Sequence, residues 1–175
     1  MKLPNLPSAR RVTQLPEMLL REIGQIMVVF AAIEHELSMI SFTLLRISTA
    51  EGRLAVSRQN IHGRMSLIKQ LAELSGFTLP DGWDTTRDLL VEQETVRDWL
   101  AHGVWSLDHD GPKLEISRGT WQPPGHHKSV DRKIIPAGAP VKHETLHEAS
   151  VSGLEILAVL EQLHIELAEQ LHPPC

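Results

Sequence analysis

A long helical pattern of apolar residues constrains the fold of this chain more than any other feature. Pro16 suits the first turn of such a helix and Glu17 suits its positive end. The apolar side chains recur at steps of three and four residues over about eight turns: Ile23, Ile26, Met27, Phe30, Ile33, Leu37, Ile40, Leu44 and Ile47. This helix would be roughly 45–50 Å long, longer than a small domain is wide. We therefore expect it to pair with another long helix, or with its own copy in a dimer.

Local end signals predict three further helices. Ser48 to Glu51 has the S-x-x-E form of a capping box and opens a second helix that runs to about residue 75, with a kink at 60–63. Asp84 or Thr85 is expected to cap a third helix, which ends before Gly103. A last amphipathic helix is predicted over 151–171. Short connections favour antiparallel neighbours, so the predicted fold is all-α, an antiparallel four-helix bundle.

The remaining segments predict the domain organisation. Residues 1–15 are polar and contain prolines, which is typical of a flexible N-terminal arm, and residues 16–172 form a single helical domain. Apolar and polar residues alternate over about 104–118 on both sides of a turn, which predicts a small β-hairpin. Residues 119–142 contain three Gly and four Pro without a period, so we expect a long loop before the last helix.

Composition favours a soluble cytoplasmic protein. Of the 175 residues, 42% are apolar and 22% are charged, as in ordinary globular domains. The only cysteine is Cys175, so no disulfide can form within one chain and a reducing compartment is favoured. Prolines interrupt the N-terminus where a signal peptide needs an apolar run. The longest apolar stretch, 23–33, is far shorter than the ~20 residues of a membrane helix.

Charge is distributed unevenly along the chain. Five cations and one acid lie between Arg118 and Lys142, whereas the whole chain has a net charge of −5. Lys128, Arg132 and Lys133 of this loop are therefore candidate phosphate-binding residues, because clustered cations neutralise a nucleic-acid backbone. Loops also collect charge for solvation alone, and both interpretations stay open. The acidic remainder argues against a protein that coats nucleic acid non-specifically.

The end of the third helix carries the strongest candidate for chemistry. Arg97 and His102 are the side-chain types that cut RNA without a metal: one stabilises charge on phosphorus and the other transfers the proton of the 2′-hydroxyl. Five helical steps place the two about 140° apart around the axis, so a shared site requires two copies of the helix in a dimer. Asp98 lies four residues before His102 and could orient its imidazole.

The same residues also fit an ordinary helix end. Glu94 and Arg97 have the i,i+3 spacing of an ion pair, and Asp98 and His102 the i,i+4 spacing of another. Each such pair is worth only a few tenths of a kcal/mol. The spacing by itself therefore leaves a structural role open.

Arg97-Asp98-Trp99-Leu100-Ala101-His102 resembles the R-[polar]-x-x-x-H signature of the HEPN superfamily. The Ala-Ile-Glu-His-Glu-Leu run over 32–37 is similar to that family as well. The resemblance implies a helical bundle, often dimeric, that acts as a metal-independent ribonuclease in toxin–antitoxin, phage-defence or RNA-processing systems. It implies catalytic roles for Arg97 and His102, with Asp98 at the polar position, and no cofactor. An antitoxin-like protein is an implied partner beside the RNA substrate.

A second motif, His143-Glu144-Thr145-Leu146-His147, has the H-E-x-x-H form of zinc peptidases. Thr145 to Glu148 is also a capping box, and a helix beginning there would separate the two histidines. A third ligand from 161–166 would lie more than three turns away. We therefore predict no metal site, although His143/His147 or His126/His127 could bind a metal opportunistically.

The leading prediction is a HEPN-like endoribonuclease with a composite site in a homodimer. The main alternative is a non-catalytic HEPN-like domain that binds a nucleotide, RNA or a protein partner. A zinc peptidase is a distant third.

Overall fold

The computed structural model describes residues 15–56, 59–108, 111–115 and 141–171, and most of this part is helical. The all-α class is therefore confirmed. The helices are α1 (Glu17–Leu45), α2 (Thr49–Val56), α3 (Ile61–Ser75), α4 (Trp83–His102) and α5 (His143–Leu171). Strands β1 (Val104–Asp108) and β2 (Gly111–Glu115) pair antiparallel, with Val104 opposite Glu115 and Asp108 opposite Gly111. The predicted arm (1–15) and basic loop (119–142) lie almost wholly outside the described residues.

The long first helix forms as its pattern predicts. Helix α1 has 29 residues and buries the apolar stripe, with Ile33, Leu37 and Ile40 fully inaccessible. It ends at Arg46, whose N–H donates to the Thr43 carbonyl and whose left-handed backbone (φ 55°) lets the Ile47 N–H donate to the Phe42 carbonyl, each at 3.2 Å.

The second predicted helix is two helices. At the start of α2, Ser48 and Glu51 form the expected capping box: the Ser48 amide and hydroxyl donate to Glu51 Oε2 at 2.9 and 2.7 Å. Helix α2 ends at Val56, and α3 begins after Asn60. The Asn60 side chain caps α3 by accepting a hydrogen bond from the Gly63 amide at 2.9 Å. The predicted kink is a full break, because asparagine satisfies the free amides of a new helix rather than continuing the old one.

Replacing Asn60 with alanine should lower the free energy of unfolding by about 1 kcal/mol, because the Gly63 amide loses its partner. Asn60→Asp is the matched control, since its carboxylate keeps an acceptor at the same position. Equilibrium urea denaturation measures both variants, and equal stability of Asn60→Ala and wild type would contradict this role for Asn60.

Helix α4 begins at Trp83, earlier than the predicted caps Asp84 and Thr85. Gly82 precedes it with a backbone that favours glycine (φ 88°), and Trp83 is buried in the core. Asp84 instead receives hydrogen bonds from Lys69 of α3 and Arg87 of α4. Burial of the tryptophan thus extends the helix past the local capping signal.

The last helix begins at His143, ahead of both the capping box at Thr145 and the apolar period that starts at Val151, and runs parallel to α1. His147 lies against Glu22, and further along both helices His164 Nδ1 lies 2.9 Å from Glu36 Oε2. His164 Nε2 also lies 3.3 Å from the Thr43 hydroxyl. Contacts that advance together along both chains require the same direction, so an alternating antiparallel order is wrong for this pair. The long segment between α4 and α5 is what permits a parallel return.

Two apolar clusters fill the core. The larger joins the C-terminal half of α1 to α3 and α5 and includes Leu37, Met65 and Leu160. The smaller joins the beginning of α1 to the end of α4 and the beginning of α5, with Trp99 and Leu146 among its buried residues. The end of α4, which carries the candidate motif, is therefore fixed against the first half of α1.

Helix α1 is more apolar than the sequence analysis allowed. One 18-residue window within Glu17–Leu45 has a mean hydropathy of 1.5, enough by length and composition for a membrane span. Only 44% of that window is buried inside the fold. Core helices of soluble proteins and N-terminal signal sequences have the same composition. The apolar window alone therefore does not distinguish a membrane span from a core helix or a signal sequence.

Candidate active site at the end of the fourth helix

The three predicted catalytic residues of α4 differ in how far they are exposed to solvent. Arg97 is partly buried against α1, whereas Asp98 and His102 are exposed. His102 is the last residue of the helix, and Gly103 follows with extended backbone. Because the helix stays regular through this segment, the expected angular separation of Arg97 and His102 applies. Within the described ranges, no hydrogen bond or ion pair joins His102 to Arg97 or Asp98.

Three contacts orient the guanidinium of Arg97. Its Nη2 donates to Glu34 Oε1 at 3.1 Å, and its Nη1 lies 2.8 Å from Asp98 Oδ1. The guanidinium carbon lies 4.5 Å above the ring centre of Phe30, a cation–π distance. The side chain keeps 25% of its surface exposed, so the group is held in one orientation but remains accessible.

Asp98 therefore has a different partner from the predicted one. The sequence spacing paired it with His102, but its carboxylate binds Arg97. A guanidinium is always charged and forms a strong charge-assisted interaction with a carboxylate beside it. In this structure Asp98 positions the arginine.

A second arginine reaches the same residue of α1 from α3. Arg64 Nη1 donates to the main-chain carbonyl of Glu34 at 2.9 Å, so both arginines converge on Glu34. The sequence placed Phe30 only in the apolar stripe of α1 and gave no signal that Arg64 would reach this site. The only signal for Glu34 was its place in the family-like run 32–37.

Glu94 lies one turn before Arg97 on the same side of α4. Burial raises the pKa of its carboxyl group, and the carboxylates of Asp98 and Glu34 raise it further, against the lowering effects of Arg97 and His62. Glu94 is therefore protonated over a wider pH range than an exposed glutamate.

This pKa predicts how stability depends on pH. A raised pKa means that the folded state holds the proton more tightly than the unfolded state. The contribution of Glu94 to stability is thus retained below the ordinary glutamate pKa of 4.5 and lost as the pH rises through the raised value. Glu94→Gln should match wild type at acidic pH and become progressively more stable than wild type as the pH rises. Urea denaturation across a pH series measures this difference, with Glu92→Gln, an exposed position on α4, as control. If the free energies of unfolding of Glu94→Gln and wild type differ by the same amount at all pH values, the raised pKa of Glu94 is refuted.

The predicted phosphate-binding residues Lys128, Arg132 and Lys133 lie outside the described residues, as do His126 and His127. The basic character of this segment is therefore known from its sequence alone.

The H-E-x-x-H segment contradicts the expected helix start at Thr145. Helix α5 begins at His143, so Thr145 lies inside the first turn and both histidines share a face. Glu22 of α1 lies between them, with its Oε1 3.4 Å from His143 Nε2 and 3.3 Å from His147 Nδ1. The helix extends past the capping box because Leu146 is fully buried against the start of α1.

This trio does not form a metal site as it stands. The two imidazole rings are nearly parallel, 10° apart, with centres separated by 6.0 Å, and the position that their nitrogens share is taken by Glu22 Oε1. Among the described residues, no group of three or more His, Cys, Asp or Glu side chains is arranged to hold a metal ion. The trio instead links α5 to α1 beside the smaller core cluster.

Comparisons with protein-family models, with curated proteins and with solved structures give no match to this chain.

Proposed function

We propose that this protein is a HEPN-like, metal-independent endoribonuclease that acts as a homodimer. One observation carries the proposal: α4 holds an oriented, accessible Arg97 and ends at an exposed His102. These are the two side-chain types that transesterification of RNA needs. The proposal includes a bundle built from the four longer helices, with the β1–β2 pair beside it, and a cytoplasmic location.

Arg97 acts on the phosphate in this mechanism. A guanidinium has five N–H donors, and the Glu34 and Asp98 contacts use one on each terminal nitrogen. The remaining donors can bind two phosphate oxygens while the carboxylates and Phe30 keep the plane fixed. Such preorganised donors stabilise the additional negative charge that develops on phosphorus.

His102 acts on the protons. One imidazole accepts the proton of the 2′-hydroxyl, and the 2′-oxygen attacks phosphorus. The bond to the 5′-oxygen breaks, and that oxygen takes a proton from a second, protonated imidazole. The products are a 2′,3′-cyclic phosphate and a 5′-hydroxyl. His102 of the partner subunit supplies the second imidazole, because each chain contributes one such histidine to a cleft that the two copies share.

The residues outside the described ranges have roles in this proposal. Lys128, Arg132 and Lys133 bind RNA phosphates on either side of the cleaved bond. An antitoxin-like protein is the proposed regulatory partner, since an unregulated ribonuclease damages cellular RNA.

One observation favours a second candidate function. Both terminal nitrogens of Arg97 already pair with carboxylates of the same chain, as a purely structural arginine would. The alternative is therefore a non-catalytic domain of the same kind, which binds a nucleotide, RNA or a protein through this end of α4.

RNA cleavage in the presence of EDTA separates the two. The ribonuclease proposal expects wild-type protein to cleave single-stranded RNA with EDTA present and to leave cyclic phosphate ends, which acid treatment opens to monophosphates. Retention of labelled RNA without cleavage would favour the binding domain. Cleavage that only a chelator abolishes would reject the metal-independent mechanism.

A further inference from the structure

The outward face of α1 carries a regular seam of exposed residues. Positions recur at steps of four, three, four, three and four residues, the spacing of a coiled-coil seam: Glu17, Arg21, Gly24, Val28, Ala31 and His35. All six are exposed, and Val28 is 67% accessible. Leu20, 51% accessible, lies beside the seam. This face is opposite to the one that packs on α5 and α3.

An uncovered face of this composition is unusual in a soluble helix. No charged residue occurs from Ile23 to Ile33, a stretch of eleven residues. A surface helix normally has charged or polar residues on its outer face, and a helix that is apolar all round is normally buried. Consistent with this exposed apolar face, only 44% of the most apolar window of α1 is buried inside the fold. A second surface is therefore expected to cover this face.

The polar side chains at the two ends of the seam fit a second copy of α1 as that surface. Glu17 begins the seam and His35 ends it. If two copies pack antiparallel, Glu17 of each faces His35 of the partner subunit. Parallel packing would place the two Glu17 carboxylates against each other, which is unfavourable. Arg21 lies one turn from Glu17 in its own chain, a spacing that allows an ion pair.

The sizes of the central residues fit the same antiparallel register. With Glu17 facing His35 of the partner subunit, Gly24 faces Val28 and Arg21 faces Ala31 of the partner subunit. An added Cβ at Gly24 would meet nothing within 4 Å, so the space above the glycine is open for the valine. Leu20 then covers the small Ala31 at the edge. In each of these facing pairs a large side chain lies opposite a small one, as close packing of two helices requires.

We propose that the Glu17–His35 seam is an antiparallel, two-fold interface between two copies of this chain. It specifies a surface for the dimer that the proposed function requires. The interface can nevertheless be tested by assembly alone, so it stands or fails independently of RNA cleavage. The seam is about 27 Å long, so we expect an equilibrium that depends on protein concentration.

Sedimentation velocity over a range of concentrations tests the interface. Wild type should shift from monomer to dimer, and Val28→Glu should stay monomeric, because two carboxylates would be buried in apolar surroundings. Leu74→Glu is the matched control: it places the same charge at an 84% exposed leucine of α3 and should dimerise as wild type does. Circular dichroism confirms that each variant is folded. A monomeric wild type, or a Val28→Glu variant that dimerises as strongly as wild type, would overturn the proposal.

Disulfide cross-linking tests the register. Gly24→Cys and Val28→Cys proteins, each with Cys175 replaced by serine, should cross-link efficiently when mixed, because these positions face one another. Either protein alone should cross-link far less, since Cα atoms more than about 7 Å apart cannot be bridged. Equal cross-linking of either variant alone would overturn the antiparallel register. Flotation of monomeric wild type with phosphatidylglycerol vesicles would assign this face to a membrane instead and overturn the proposal.

Discussion

Replacing His102 with alanine is expected to slow RNA cleavage roughly 10²- to 10⁴-fold, the usual contribution of a general acid or base. The fold should be unaffected, because His102 is exposed at the last position of α4 and none of the described contacts holds it. The measurement is the single-turnover rate on a labelled RNA in EDTA, together with the melting temperature of each variant.

His62→Ala is the matched control for this loss. His62 is also an exposed imidazole, and it is close enough to the Arg97 cluster to influence Glu94. The variant should cleave RNA as fast as wild type. If His62→Ala loses the activity and His102→Ala keeps it, the imidazole of α3 carries the chemistry and the role proposed for His102 is wrong.

Replacing Leu37 with alanine is expected to give the largest loss of stability, about 2–5 kcal/mol. Leu37 is fully buried at the centre of the larger cluster, where α1 contacts α3 and α5. The truncation removes apolar contacts and leaves a cavity that three helices cannot close without losing other contacts. Since small domains are stable by about 5–15 kcal/mol in total, this single change should consume a large part of that stability.

Equilibrium urea denaturation of Leu37→Ala and of Leu74→Ala measures the effect. Leu74 is 84% exposed on α3, so the same substitution there should change the free energy of unfolding by less than about 0.5 kcal/mol. Similar losses for both variants would mean that the core does not lie between these helices.

The predictions that succeeded rest on local signals. The apolar period of α1 is long and regular, and the Ser48–Glu51 capping box acts within four residues. The errors occurred where a distant contact outweighs a local signal. Thr145 has the sequence of a helix start, but burial of Leu146 against α1 and the contacts of Glu22 with two histidines extend α5 to His143.

The candidate site shows the same division. Arg97 and His102 were found from sequence because the motif lies within one helix. Phe30 and Glu34 were missed as site residues because they contact Arg97 from another helix, Glu34 from a distance of 63 residues along the chain. Arg64 was missed because it joins the site only through the Glu34 carbonyl. Asp98 received the wrong partner for a related reason. Its spacing permits a contact with His102, but the guanidinium that α1 holds in place is the stronger partner.

The sequence by itself determined that the protein is helical, where its longest helix runs and which helix end carries an arginine, an acid and a histidine. These features follow from periodicity and capping, which act over a few residues. Only the tertiary structure decided that α1 and α5 run parallel, that α1 brings Phe30 and Glu34 to Arg97, and that one apolar face of α1 remains uncovered. Such features depend on which surfaces meet, and helix packing joins residues that are far apart in the chain.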